Sequence, residues 1–138
     1  MSDHKKLLEM IENVKADDTA ALRGVDARFV CFLEQKHFMN VTKGGRVIFN
    51  EKHGTPIEYG YNTQKYSTSR DALKAVRPDG WGVGIHCNDK YHTTLMANCY
   101  KIGEKGHNIQ RSPELPTEEL AELHAIIQAI AYERAEND

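Results

Sequence analysis

The 138-residue chain has little of what marks several large protein classes: three cysteines, four prolines, one tryptophan and almost no net charge. Cys31, Cys87 and Cys99 form no Cys-x-x-Cys pair, and an odd number in so short a chain is no secreted disulfide framework, so they read as reduced thiols. Twenty acidic residues face eighteen basic ones, a net charge of −2, which argues against strong attraction to nucleic acid or an anionic membrane. No apolar run approaches the about 18 residues that a membrane span requires, and Met1 to Lys6 leads into an amphipathic helix instead of a signal sequence. A cytoplasmic location follows. The length suits one domain with a core of its own.

The elements that are present have clear punctuation. Leu7, Leu8, Met10, Ile11 and Val14 recur at helical spacing to about Lys15. Asp17-Asp18-Thr19 breaks this helix and offers a cap for a second, with Leu22, Val25, Phe29, Phe32 and Leu33 on one face and Gly24 as an internal cost. Val47-Ile48-Phe49 pairs with residues 38–41 across Lys43-Gly44-Gly45, and residues 50–64, rich in Gly, Pro, Asn, Thr and Tyr, read as an ordered loop. Ser67 or Ser69 caps a short helix bearing Ala72, Leu73, Ala75 and Val76; Pro78-Asp79-Gly80 ends it and turns the chain into a strand at Trp81.

In that strand Trp81, Val83, Ile85 and Cys87 alternate with Gly82, Gly84 and His86, so one face is apolar and the other nearly bare. A return strand over Tyr91 to Tyr100 places Thr93, Leu95, Ala97 and Cys99 on one side. After a polar loop over residues 101–116, Thr117 caps a last helix with the stripe Leu120, Leu123, Ile127 and Ile130. The chain therefore divides into N-terminal helices (1–37), a hairpin and loop (38–65), and a helix, hairpin and closing helix (66–138) within one domain. The expected fold class is α+β, a single layered α/β/α-type sandwich with a small antiparallel sheet and flanking helices.

The run Tyr66-Ser67-Thr68-Ser69, Asp71-Ala72-Leu73, Val76-Arg77-Pro78-Asp79-Gly80-Trp81, followed by the hairpin and the closing helix, resembles the phage ABA-sandwich domain proteins, small proteins of phages and prophages. Leu7-Leu8-Glu9 and Asp26-Ala27-Arg28 are similar to the leading helices of that family. Residues 38–62 have no counterpart there, and the closing helix begins Leu115-Pro116-Thr117-Glu118-Glu119 where the family has Thr-Pro-Ala-Leu. The resemblance implies a viral or prophage accessory protein in a host cytoplasm. It carries over no catalytic residue; such proteins act by binding a host protein or a small nucleotide signal.

The residues themselves offer three chemistries. His53-Gly54-Thr55 and His92-Thr93-Thr94 both match His-x-Thr, the pattern of two-histidine phosphoesterases, in which imidazoles act as base and acid while hydroxyls hold phosphate. This hydrolase reading of His53, Thr55, His92 and Thr94 stands as an alternative, since chance accounts for such matches among 7 histidines. His86, Cys87 and His92 flank one turn, with His37, His53 or His107 as further donors, but His86 and Cys87 point to opposite faces; no metal is assigned. Cys87 reads as a buried thiol, and Cys31 and Cys99 as structural ones. No phosphate loop occurs and no cofactor is implied.

A binding surface has more support. Tyr59, Tyr61, Tyr66 and Arg70, with His86 and Arg111, suit a small anionic, nucleotide-like ligand, the rings by stacking and the guanidinium groups by pairing with phosphate. Trp81 fits a core anchor better than a ligand platform. The leading expectation is a non-catalytic binding protein that neutralises a host factor. A third reading is a virion or assembly role through self-association of the last helix into a homo-oligomer.

Overall fold

The computed structural model describes residues 3–52, 54–62, 64–87, 94–103 and 109–136, with the side chains of residues 3 and 59–62 left aside. The fold is α+β, with four helices and two three-stranded antiparallel sheets among the described residues. The chain forms two compact units, Met1–Lys65 and Tyr66–Asp138. The small sheet expected for one domain is thus two sheets, one in each unit.

In the first unit, α1 (Asp3–Asn13) buries Leu7 and Ile11, one helical turn apart. The Asp18 carboxylate accepts from the Ala21 N–H at 3.1 Å and starts α2 (Thr19–Glu34), which keeps the two helices separate. Leu22, Val25 and Phe29 form the buried stripe of α2, and the Phe29 and Phe32 rings lie 6.3 Å apart. Gln35, at φ 55, closes the helix in the left-handed conformation, its N–H turned back to the carbonyls of Cys31 and Phe32.

The α2 helix packs on β1 (His37–Val41) and β2 (Arg46–Asn50), where Val47 and Phe49 are buried and the Arg28 guanidinium lies 4.4 Å from the Phe38 ring centre. The hairpin is as expected, but β3 (Glu58–Asn62) adds a third strand within the segment read as a loop. That strand pairs with β2, with Tyr61 opposite Val47 and Tyr59 opposite Ile48.

In the second unit, the Ser69 hydroxyl accepts from the Ala72 N–H at 3.2 Å and begins α3 (Arg70–Val76), anchored by the fully buried Leu73. Gly80, at φ 83, completes the turn in which Trp81 N–H donates to the Pro78 carbonyl at 3.2 Å. The strands β4 (Trp81–Cys87), β5 (Leu95–Lys101) and β6 (Ile109–Arg111) follow in sheet order β4-β5-β6. The loop expected over residues 101–116 therefore contains a short strand.

Thr117 Oγ1 accepts from the Leu120 N–H at 3.1 Å and caps α4 (Glu118–Glu136). This helix lies on one face of the sheet and also meets α3. Leu120, Leu123, Ile127 and Ile130 are buried, each contributing about 1.5–3 kcal/mol relative to exposure. Ala121, Ala125, Ile126 and Ala129 are buried too, so the helix is covered on more than its expected stripe and those four side chains offer no surface to a partner. Trp81 is the core anchor expected of it: its indole N–H donates to Glu133 at 2.7 Å, its ring meets Tyr132 edge-on at 5.8 Å, and Lys101 holds the same carboxylate at 3.1 Å.

Candidate functional site

The register of the second sheet decides which side chains share its outer face, away from α4. Trp81 opposes Lys101 and Val83 opposes Cys99 on the helix side. On the other side Gly82 opposes Tyr100, Gly84 opposes Asn98 and His86 opposes Met96, while Ile109 and Arg111 of β6 stand next to Tyr100 and Asn98. The two glycines differ in what they admit. A Cβ on Gly82 would stand 2.7 Å from the Tyr100 ring, which occupies the space over the bared backbone, whereas at Gly84 a Cβ would meet nothing within 4 Å among the described residues.

Around the open position at Gly84 stand groups of complementary kinds. Tyr100 keeps 42% of its surface exposed, with its ring placed over Gly82. Asn98 Nδ2 lies 2.7 Å from His86 Nε2, while Asn98 Oδ1 is buried with no hydrogen-bond partner among the described residues. Arg111 is exposed; its own backbone is fixed by Gln128 of α4, whose Nε2 donates to the Arg111 carbonyl at 2.7 Å. Together these give a ring for stacking, a guanidinium for an anion and an amide–imidazole pair.

Of the six residues expected to bind a ligand, His86 and Arg111 come together on this face. Tyr66 does not contribute: it is 8% exposed and belongs to the core. Arg70 is a structural cation, with Nε and Nη2 donating to Glu122 Oε1 at 3.2 and 3.0 Å and Nη1 lying 3.5 Å from Glu118. Tyr59 and Tyr61 lie on β3 of the first unit, with their side chains outside the described residues. Sequence reasoning passed over Tyr100 and Asn98. The alternation of β5 was the signal: if Leu95, Ala97 and Cys99 face the core, Met96, Asn98 and Tyr100 must share the glycine face.

Nucleophilic and metal chemistry have less to stand on. His53 and His92 lie outside the described residues, as does His107. The Thr55 hydroxyl is occupied in a turn, donating to the Lys52 carbonyl at 2.7 Å and accepting from the Lys52 N–H at 3.2 Å. Thr94 is half-buried just before β5. Burial pushes the Cys31 thiol up to about 11 and Cys99 to about 12, which keeps both protonated and inert. Cys87 corrects its expectation: it is exposed, because it ends β4 beyond the stretch that the core covers. Among the described residues no three His, Cys, Asp or Glu side chains are grouped as a metal site would require.

Comparison with other proteins adds nothing to this geometry. The chain has no significant match among family models, curated proteins or solved structures. Among the described residues no helix is long and apolar enough to cross a membrane.

Proposed function

We propose that this chain is a non-catalytic binding protein that captures a small anionic, ring-bearing ligand of nucleotide type on the outer face of its second sheet. The observation that carries the reading is the Tyr100 ring laid over Gly82 beside the open backbone at Gly84, with Arg111 on the same face. A half-exposed aromatic ring seated over bare backbone offers a partner for stacking a base, and such stacking contributes about 1–3 kcal/mol per base. Arg111 supplies a charge-assisted partner for phosphate. The resemblance to phage ABA-sandwich proteins supplies the setting: an accessory protein in a host cytoplasm that neutralises a host factor, here a nucleotide-like signal.

Calorimetry and thermal shift against a panel of linear and cyclic nucleotides test the reading. Binding is expected for at least one member, weakened roughly tenfold or more by Arg111→Ala and by Tyr100→Ala, while Arg70→Ala leaves affinity unchanged. Silence across the panel, or binding indifferent to both Arg111 and Tyr100, removes the proposal. A host protein recovered by pull-down in place of a nucleotide moves the function to a protein partner.

A further inference from the structure

The four outer edges of the two sheets are not equally protected. In the first sheet the ladder slips at Met39, between Phe38 and Asn40 of β1, and again at Gly60 of β3, opposite the Val47/Ile48 step. Such bulges discourage further strand addition. In the second sheet β6 is only three residues long. The remaining edge, β4, has seven residues in unbroken register with β5, with no proline, no Asp, Glu, Lys or Arg, and no bulge. Within the strand itself, none of the residue-level devices against edge pairing occurs.

The hydrogen-bond phase of β4 is fixed by the Ile102 N–H, which donates to the Gly80 carbonyl at 2.6 Å. Gly80 therefore belongs to a hydrogen-bonded pair, and so in alternation do Gly82, Gly84 and His86. The backbone groups of Val83, Ile85 and Cys87, with the Trp81 carbonyl, point out of the sheet and meet no backbone partner among the described residues. Val83 and Ile85 are also only half-buried.

We infer that β4 is a dimerisation strand that pairs antiparallel with β4 of a second copy of this chain, about a two-fold axis at Gly84, to make one continuous six-stranded sheet. The register is self-complementary. Val83 of each copy opposes Ile85 of the other and exchanges both bonds with it, and each Cys87 N–H meets the Trp81 carbonyl of the other copy. Gly84 opposes itself at a non-hydrogen-bonded pair, where side chains come closest, and it has no side chain and, among the described residues, nothing within 4 Å of its Cβ position. His86 of each copy stands across from Gly82 of the other, beside the Tyr100 ring. A second copy fits better than an arbitrary peptide, because the β-branched residues Val83 and Ile85 flank Gly84 at equal distance and so meet one another across the axis of an antiparallel pair. The inference does not depend on the ligand reading.

Light scattering over a dilution series tests it. The intact chain is expected to show twice the 15.7 kDa of one copy at the highest concentration. Gly84→Lys, which the open space at Gly84 accommodates, is expected to give a single-copy mass with an unchanged circular dichroism spectrum, because two lysines meet at the axis. Gly84→Cys in a Cys87→Ser background is expected to form a disulfide-linked dimer on mild oxidation, the about 4.5 Å between Cα atoms of such a pair being within disulfide reach. A single-copy mass at every concentration overturns the inference, as does a dimer that Gly84→Lys leaves intact or a Gly84→Cys chain that does not cross-link.

Discussion

Single residues show both what local chemistry can announce and what it conceals. Gly24 sits inside α2 without a positive φ, and a Cβ there would touch nothing within 4 Å. Gly24→Ala is therefore expected to raise stability by about 0.5–1 kcal/mol in urea denaturation, through lower backbone entropy in the unfolded chain. His124 works in the opposite sense. It is 5% exposed in α4, and burial depresses its pKa to about 4 from an ordinary value near 6.5. Between those two values the unfolded chain takes up a proton that the folded chain refuses, so stability is full above about pH 6.5 and falls as pH drops toward 4. The loss is roughly 3 kcal/mol. Denaturation curves across that range should show the decline, and His124→Leu should flatten it. Nothing in the sequence around His124 signals this, because the cause is burial by distant elements. Cys87 is the reverse case: alternation correctly placed it on the core-side face but could not show that cover ends before it.

At the scale of elements, the helix starts were legible and two of the strands were not. Asp18, Ser69 and Thr117 each cap an N–H three residues away, a contact complete within one turn of chain, so sequence alone can reveal it. β3 and β6 are paired to β2 and β5; Tyr59 and Tyr61 do alternate with Glu58, Gly60 and Asn62, but this short run sits among the glycine, proline, asparagine and threonine of a loop-like segment, and residues 109–111 are too few to show a pattern. Arg70 was misread because its partner Glu122 is 52 residues away. Glu122 is wholly buried, and its Oε1 receives Arg70 at 3.0 Å and lies 3.7 Å from Arg77, which ties α3 and the turn after it to α4. Removing the carboxylate takes the nearby counter-charge from Arg77 and leaves Arg70 only the longer 3.5 Å contact to Glu118. Glu122→Ala is expected to lower stability by about 2–3 kcal/mol, read as a fall in the urea midpoint, with Arg70→Ala costing less because that side chain is 42% exposed and can turn to water.

Over the whole molecule, the α+β class could be read directly, whereas the separation into two sheets could not. Length suggests one core, but two runs of strands, each beside its own helices, let each half cover a sheet locally. The candidate site was half legible: His86 and Arg111 were named from composition, and the strand register supplies Tyr100 and Asn98, which only a ladder can place beside them. The indole of Trp81 carries a further consequence. It is the chain's one tryptophan and lies wholly in the second unit, against Tyr132 and Glu133. Its fluorescence therefore reports the melting of that unit and is silent about the first, whereas circular dichroism sums the helices of both. Following the two signals through one denaturant titration turns a packing detail into an intrinsic gauge of how far the halves of this chain share a single cooperative transition.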